Sequence, residues 1–369
     1  MGLRRRIEKE KPVSSDSGLQ GDDYLGDLIS DIKKGRVIPI LSNSMRIEQI
    51  FRDEKALADQ VSDTVEFDNE DLTIDEQLTK EWAAEIHYPM ADDYNPARVA
   101  QFYQVEQKES LSAKTKYLKF LAQYLLDINE EEEGYQDVVK QMRTQEDASF
   151  SEIVQQLDCP RFPAGMEDPL RILAKLPLKM YVTTSYYNFI ERALEAENKK
   201  PRTQVCFWLS GKPKPEHTPD PLFEPSDTEP IVYHLYGLED YAQTLVLSED
   251  DYMNFLISVV EDTNTQNPVV PLSLREALAE SRLLMLGYRV KDWDFRVLFR
   301  FILKFRSNDS APRGMLIQLK PGSKQIGDKD KSLEYLGHYF DKKQFDVDWT
   351  NPEKFIQKLW IEWDKYRKG

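Results

Sequence analysis

Hydrophobic positions near the start of the chain follow first a helical and then a strand-like pattern. Apolar residues recur at the three- and four-residue intervals of one helix face: Tyr24, Leu25, Leu28, Ile29 and Ile32. Gly35 follows them, as a left-handed helix cap would. Residues 37–41 (VIPIL) then form a short apolar run bounded by turn-forming residues, which predicts a buried strand. Pro39 has no N–H to donate and does not suit the middle of a strand ladder.

Strand and helix patterns alternate again after residue 160. Short apolar runs of strand length occur at residues 179–184, 205–209, 231–235, 283–286, 315–319 and 345–349. Helical patterns occur at residues 187–196, 293–305 and 353–366, and Ser248 with three acidic residues after it opens another. Strands that alternate with helices predict an α/β fold, a Rossmann-like, doubly wound parallel sheet.

Residues 47–158 have a different character. Glu, Gln, Lys, Ala and Leu dominate this stretch, and its apolar positions keep helical intervals, so we predict an all-helical insertion. Residues 1–21 are polar without periodic apolar positions, which indicates a flexible leader. The predicted organisation is therefore a leader (1–21), a Rossmann-like domain (22–46 with 159–369) and a helical insertion subdomain (47–158).

Composition and charge exclude several classes of protein. Of the 369 residues 40% are hydrophobic, which is enough for a core, and 49 basic against 65 acidic residues give a net charge of −16. That charge repels phosphate backbones and anionic lipid, so we predict neither nucleic acid nor a membrane as partner. The chain has no apolar run of the ~20 residues that a membrane helix needs, and its start does not resemble a signal peptide. Two cysteines cannot build a disulfide framework or a four-cysteine zinc site. We expect a soluble, cytoplasmic protein.

Four junctions between a predicted strand and the next helix are candidates for chemistry. They lie at residues 41–45, 183–188, 234–237 and 286–292. In an open parallel sheet, ligands bind at the carboxyl ends of strands, where loops lead into helix N-termini. The alternative is that these junctions are ordinary turns.

The same junctions resemble a known family. Residues 183–194 (TTSYYNFIERAL), 233–237 (YHLYG) and 284–296 (LMLGYRVKDWDFR) are similar, in this order along the chain, to motifs of the sirtuin-like NAD-binding domain found in bacterial antiphage defence and conflict systems, and the last of them is the closest match. The resemblance covers about residues 24–365. It implies a Rossmann-like fold, NAD or ADP-ribose as ligand, and a role in defence; from the residues alone no cofactor follows.

The family's chemical residues are changed at most positions. Ser42, Asn43 and Ser44 stand where the family has a glycine-rich loop, whose backbone approaches the dinucleotide phosphates. Ser185 replaces the catalytic asparagine and Tyr236 the histidine, so both are degenerate catalytic positions. The cofactor-binding positions that the resemblance implies are Ser42, Asn43, Ser44, Thr184, Asn188, Gly287, Arg289 and Asp292.

Nearby residues are candidates to replace the changed catalytic and phosphate-binding groups, and each of them also has a purely structural interpretation. His234 lies one strand step, about 6–7 Å, from the family's histidine position, which is far for proton transfer; the alternative is a hydrogen-bonded strand histidine. Asn188 replaces the lost asparagine or caps a helix, and Asn43 contacts phosphate or makes a turn. Arg289 and Lys291 bind an anion or are ordinary surface charges.

Three functional hypotheses follow. The first is a pseudoenzyme, a catalytically degenerate sirtuin-like module that acts as a regulatory or scaffold subunit of a bacterial defence or signalling assembly. The alternatives are an NAD+ hydrolase with an altered catalytic set, or a sensor that binds ADP-ribose or another nucleotide without cleaving it. The predicted partners are other proteins of that assembly or a second copy of the chain, and no metal is predicted.

Overall fold

A seven-stranded, all-parallel sheet is the centre of the fold. The computed structural model describes residues 23–60, 67–68, 72–145, 148–209, 223–262, 268–306, 311–321 and 328–368. Its strands are β1 (Val37–Leu41), β2 (Phe67–Asp68), β3 (Met180–Thr183), β4 (Arg202–Val205), β5 (Ile231–His234), β6 (Arg282–Leu286), β7 (Gly314–Ile317), β8 (Lys320–Pro321) and β9 (Phe345–Asp348). The order in the sheet is β4-β5-β3-β1-β6-β7-β9, while β2 and β8 form a separate parallel pair.

Helices follow nearly every strand. They are α1 (Asp23–Lys33), α2 (Asn43–Phe51), α3 (Glu54–Gln60), α4 (Ile74–Glu85), α5 (Pro96–Gln107), α6 (Ser110–Ile128), α7 (Gln136–Arg143), α8 (Phe150–Gln156), α9 (Pro169–Lys175), α10 (Phe189–Ala196), α11 (Glu249–Val260), α12 (Leu272–Glu280), α13 (Trp293–Phe305), α14 (Lys329–Asp341) and α15 (Pro352–Lys368). A 3₁₀ segment spans Glu239–Thr244. Among them α1, α9, α10 and α15 pack in one group, and α11, α12 and α13 in another. This architecture confirms the predicted Rossmann-like α/β fold.

Helix boundaries follow from local caps. α1 is followed by Gly35 at φ +64°, as the sequence predicts. Ser248 forms a capping box with Asp251 at the start of α11, and the Asn351 side chain accepts from the Lys354 amide at the start of α15. These polar caps satisfy amide groups that no helix turn can satisfy.

Pro39 lies in the central strand without breaking it. On the β6 side, paired residues run from Val37 to Leu41, whereas the pairing with β3 begins only at Ile40, one residue beyond the proline. The backbone N–H of Ser42 donates to the Leu286 carbonyl of β6. The N–H groups of even-numbered residues in β1 therefore point toward β6, and those of odd-numbered residues point toward β3. The missing donor of Pro39 therefore faces β3, just outside the paired part of that ladder.

The stretch predicted as a helical insertion carries α3 to α8. It also contains β2, so it is not purely helical, and the predicted boundary between residues 46 and 47 falls inside α2. The division into a leader, a Rossmann-like domain and an insertion stays a prediction, and residues 1–21 lie outside the described residues. None of the helices in the described ranges is long and apolar enough to cross a bilayer.

Candidate functional site

The strand order reverses at β1. The chain passes from β1 to β3 on one side of it, and later from β6, on its other side, outward to β7 and β9. In open α/β sheets, such a reversal leaves a crevice at the carboxyl ends of the two strands. The loops at this crevice begin with Ser42 after β1 and Gly287 after β6.

Ser42 and Gly287 close the bottom of the crevice. The Ser42 hydroxyl donates to the Gly287 carbonyl at 2.6 Å and accepts from the Met45 amide at 3.1 Å, which caps α2. Gly287 has φ +77°, and a Cβ there would lie 2.5 Å from both Met45 Cβ and Ser42 Oγ. Ser42 therefore fills space beside the glycine and fixes the two loops to each other.

A cavity of about 730 Å³ opens on one side of the crevice. Its floor is the carboxyl edge of the sheet, with Thr184 after β3 and Tyr236 after β5. Its roof comes from the stretch 47–158, which contributes Asp75 of α4 and Tyr117 of α6. The volume lies within the roughly 300–1,000 Å³ range typical of small-molecule sites.

A second cavity, of about 540 Å³, opens on the other side of the crevice beyond β6, β7 and β9. Gln318 follows β7 and lines this cavity together with Phe299, Arg300 and Tyr339. Glu48, Arg289, Lys291 and Arg296 line both cavities. The two cavities therefore flank the strand reversal and meet at these charged side chains.

Ion pairs fix two of the shared cations. Arg289 contacts Glu48 at 3.2 Å, and Lys291 contacts Glu76 of α4 at 3.3 Å. Lys291 therefore links the β6 loop to the helical roof. Both cations were predicted as anion-binding or ordinary surface charges, and the structure places both at the crevice.

Burial acts on three carboxyl groups of the larger cavity. It raises the pKa of Asp75 above the ordinary value, against a hydrogen bond from Ser44 that lowers it. Burial raises the pKa of Asp294 to about 6, and the charge of Asp75 adds to this effect. Asp292 has its pKa raised well above the ordinary range by burial and by the neighbouring Asp294. Such groups are typical of functional sites, because charged forms there lack full solvation.

The sequence-predicted residues divide into two sets. Those that line the larger cavity are Asn43, Ser44, Thr184, Tyr236, Arg289 and Asp292, and Gly287 lines the smaller one. Ser42 and Ser185 instead border a much smaller space between α2, β3 and α10. Asn188 stands at the N-cap position of α10, but its side chain makes no cap hydrogen bond. Ser185, where the resemblance implies the catalytic asparagine, therefore does not line the larger cavity.

His234 has a structural environment. It is fully buried, with Nδ1 3.0 Å from the Ser185 carbonyl and Nε2 2.8 Å from Glu191 Oε1. Burial disfavours its charged form, but the Glu191 carboxylate outweighs this together with the Ser185 carbonyl, so the pKa of His234 is raised. The histidine lines neither cavity, so the alternative of a hydrogen-bonded strand histidine holds.

Tyr236 lines the cavity but is not a base. Its hydroxyl donates to the Asp294 backbone carbonyl at 2.9 Å. Burial raises its pKa well above the ordinary value, so the phenol keeps its proton at neutral pH. The tyrosine therefore supplies an aromatic surface where the family has a histidine.

Asp75 and Tyr117 are cavity residues that the sequence did not single out. Asp75 follows the capping residue Thr73 in the first turn of α4, where acidic residues are common for helix stability alone. Tyr117 occupies an apolar position of α6 and reads as core. Neither residue carried a sequence signal of its own, since their placement depends on how the insertion docks.

The structure is an α/β fold with a crevice at the strand reversal and a cavity on each side of it. Residues 179–340 match the model of the family described as SIR2-like domain. This match confirms the sirtuin-like resemblance. Over 146 residues the chain is 26% identical to the NAD(+) hydrolase ThsA of Cytobacillus dafuensis. That similarity covers 40% of this chain, and the chain spans about a quarter (26%) of the length of this relative.

Proposed function

We propose that this chain binds NAD+, or its ADP-ribose part, across the crevice without cleaving it, as a regulatory or scaffold module in bacterial antiphage defence. The observation that carries the proposal is the pair of cavities that flank the strand reversal and meet at Arg289. A dinucleotide in a doubly wound sheet lies across such a crevice, with one half on each side. The similarity to an NAD(+) hydrolase supports the choice of nucleotide.

The smaller cavity suits the ADP half. Arg296 and Arg300 bring positive charge to it in a chain of net charge −16, and guanidinium groups match diphosphate oxygens. Gln318 is 6% exposed, and its Nε2 has no hydrogen-bond partner. A ligand acceptor in the cavity would satisfy this donor. Phe299 and Tyr339 offer aromatic surface to a base.

Binding without cleavage follows from the replaced residues. The Tyr236 hydroxyl keeps its proton and donates a hydrogen bond to a backbone carbonyl. Both ring nitrogens of His234 are hydrogen-bonded, one to the Ser185 carbonyl and the other to the Glu191 carboxylate. Ser185 lies outside the larger cavity. The positions at which the family activates water are thus occupied by groups that hold the fold together.

Calorimetry on the purified chain tests the proposal. We expect ADP-ribose and NAD+ to bind, and chromatography to show no loss of NAD+ over hours. Arg300→Ala should weaken binding several-fold, because it removes an exposed cation from the smaller cavity. Arg36→Ala is the matched control: it removes an exposed cation just before β1, at the opposite edge of the sheet. A folded wild-type chain that binds neither ligand would refute the proposal.

Hydrolysis of NAD+ is the second candidate function. Asp75 and Asp294 are carboxyl groups in the larger cavity with raised pKa values, as a general base requires. In this reaction the N-glycosidic bond breaks, nicotinamide leaves with the bonding electrons, and water adds to the sugar while its proton passes to the carboxylate. Turnover by the wild-type chain that disappears in Asp294→Asn would favour hydrolysis over binding alone.

Protein partners are part of the proposal. Met253, Ile257 and Val260 are about half exposed or more on one side of α11, at intervals of four and three residues. An exposed apolar stripe of this kind is typical of an interaction surface. It supports assembly with another protein or with a second copy, which light scattering would report.

A further inference from the structure

The exposed face of α11 has an apolar centre and acidic ends. Met253, Ile257 and Val260 form its apolar stripe, with exposed fractions of 49%, 48% and 66%. Asp250 and Glu261 are exposed at the two ends of the same face, eleven residues apart. At about 1.5 Å per residue the face extends about 16 Å, which is the length of three turns of a second helix.

Buried side chains fix α11 beneath this face. Tyr252, Phe255 and Val259 are buried on the other side of the helix. The Phe255 ring packs against that of Phe301 in α13, with 5.9 Å between the centroids. Ser248 caps the first turn. Since the helix is held on one side and capped at its start, its exposed residues form a surface that a partner does not need to order.

A pocket of about 240 Å³ opens beside the first two turns of α11. Asp250 and Asn254 of the exposed face line it, together with the buried indole of Trp208. Lys114 of α6 and Asp251 are buried in its wall, where they form an ion pair of 2.9 Å and balance each other. The charge that remains is that of Asp250, since the described residues that line the pocket include no other charged side chain.

Cations next to α11 are used within the chain. Arg98 and Arg275 each form an ion pair with a carboxylate of the chain, at 3.1 and 2.5 Å. Lys304 of α13 donates to a backbone carbonyl in the last turn of α11 at 3.4 Å, and two arginines of α13 line the cavities of the crevice. In the part of the chain that the structure describes, no cation pairs with Asp250 or Glu261. The charge left for a partner on this face is therefore negative.

The start of α12 continues the same chemistry. Asp262 follows α11 and accepts from the Val269 amide at 2.8 Å, which brings the start of α12 beside the end of α11. Leu272, the first residue of α12, is 65% exposed, and Glu276 is exposed one turn later. Exposed apolar residues with acidic neighbours are therefore present on both helices.

We propose that the exposed face of α11 and the pocket at its start bind an amphipathic helix of another protein, one with basic residues beside its apolar side. The apolar residues of that helix would cover Met253, Ile257 and Val260, and one lysine or arginine would enter the pocket beside Asp250. A second copy of this chain matches the face less well, because its net charge is −16 and acidic surfaces repel each other. The inference rests on the proposed function, since it names the chemistry of the protein partner that a regulatory or scaffold module requires.

A model peptide tests this surface on the full chain. The probe is a fluorescein-labelled helix of about 14 residues, or four turns, with leucines on one side and lysines on the other. A second peptide has glutamate in place of every lysine. By fluorescence anisotropy at physiological salt, we expect the lysine peptide to bind at micromolar concentrations and the glutamate peptide not to bind.

Two pairs of variants locate the peptide. Ile257→Asn leaves the net charge unchanged and should weaken binding about tenfold, because the burial of one isoleucine side chain is lost. Ile361→Asn is its matched control, since Ile361 is 54% exposed on α15 and should not contact the peptide. Asp250→Asn should weaken binding several-fold. Asp330→Asn is the control for this change, because Asp330 is also an exposed aspartate in the first turn of a helix.

Three results would overturn the inference. If the two peptides bind equally, or neither binds, the partner is not a basic helix. If each variant has the same affinity as its control, the peptide does not lie on α11. If light scattering shows a wild-type dimer that Ile257→Asn dissociates, the face belongs to a second copy.

Calorimetry with ADP-ribose keeps this inference distinguishable from the proposed function. Asp250, Met253, Ile257 and Val260 line neither cavity of the crevice, so all the folded variants should bind ADP-ribose as the wild type does. Failure of the peptide with ADP-ribose bound refutes the docking surface alone. Failure of ADP-ribose on a folded wild-type chain refutes the proposed function, whichever peptide binds.

Discussion

Gly287 is the position where the smallest change should have the largest effect on the crevice. Its φ of +77° lies in the left-handed region, which costs a residue with a Cβ about 1–2 kcal/mol. The added methyl group would lie 2.5 Å from Met45 Cβ and Ser42 Oγ, so β6 and α2 must move apart. Overpacking of this kind costs about 1–3 kcal/mol. We therefore expect Gly287→Ala to destabilise the chain by about 2–5 kcal/mol.

Thermal unfolding followed by circular dichroism measures this effect. A loss of about 3 kcal/mol should lower the Tm by roughly 4 °C, because unfolding a chain of 369 residues carries an entropy of about 2.1 cal/mol/K per residue. Gly26→Ala is the control, because Gly26 lies in α1 with nothing within 4 Å of an added Cβ. Alanine there should raise stability by about 0.5–1 kcal/mol. A Gly287→Ala chain with unchanged Tm and unchanged ADP-ribose binding would refute the tight contact between the two loops.

Three further predictions concern buried polar groups. The pKa of His234 is raised, so the pairing of His234 with Glu191 stabilises the folded state fully below about pH 6.5. This stabilisation is lost as the pH rises through the raised pKa. The Tm of His234→Gln should therefore depend less on pH than that of the wild type. Burial raises the pKa of Glu239 from 4.5 to about 7. The folded state therefore loses stability as the pH rises from 4.5 to about 7, because the buried carboxyl group must lose its proton. Glu239→Gln should have a higher Tm than the wild type at about pH 8 but not at pH 4.5. Ser42→Ala removes the N-cap of α2, whose hydroxyl accepts from the Met45 amide. The free energy of unfolding, measured by urea titration, should fall by about 1 kcal/mol.

Local patterns predicted most strands and helix ends, because each depends on a few neighbouring residues. The run at 205–209 is an exception: the strand is Arg202–Val205, and Cys206, Phe207 and Trp208 are buried after the strand has ended. Trp208 there donates from Nε1 to the Thr244 carbonyl, so burial came from a tertiary contact and not from a strand ladder. Hydrophobicity reports burial, and it does not by itself distinguish a strand from a loop that is covered.

The floor of the site was accessible to sequence reasoning, and its roof was not. Gly287, Arg289 and Asp292 belong to a motif in which spacing fixes their place at one strand end. Asp75 and Tyr117 reach the cavity only because α4 and α6 pack over the sheet edge, and helical periodicity does not specify that orientation. The ion pair of Lys291 with Glu76 joins the two parts, but a contact between residues 215 positions apart leaves no local signal.

The replaced residues have consequences for one another, which is why they are better understood as a set. Ser42 fills the space beside Gly287 that a glycine-rich loop would leave open, and it uses its hydroxyl to fix both loops. Tyr236 supplies an aromatic surface at the position where the resemblance implies a histidine, and its hydroxyl donates to the Asp294 backbone carbonyl. Both side chains add a hydrogen bond that fixes a loop at the crevice. The cavity lining also includes Asn43 and Asp75, each with a buried side-chain oxygen that has no hydrogen-bond partner, and such oxygens cost free energy unless a bound group satisfies them. Ligand binding is therefore the property that separates these two hypotheses.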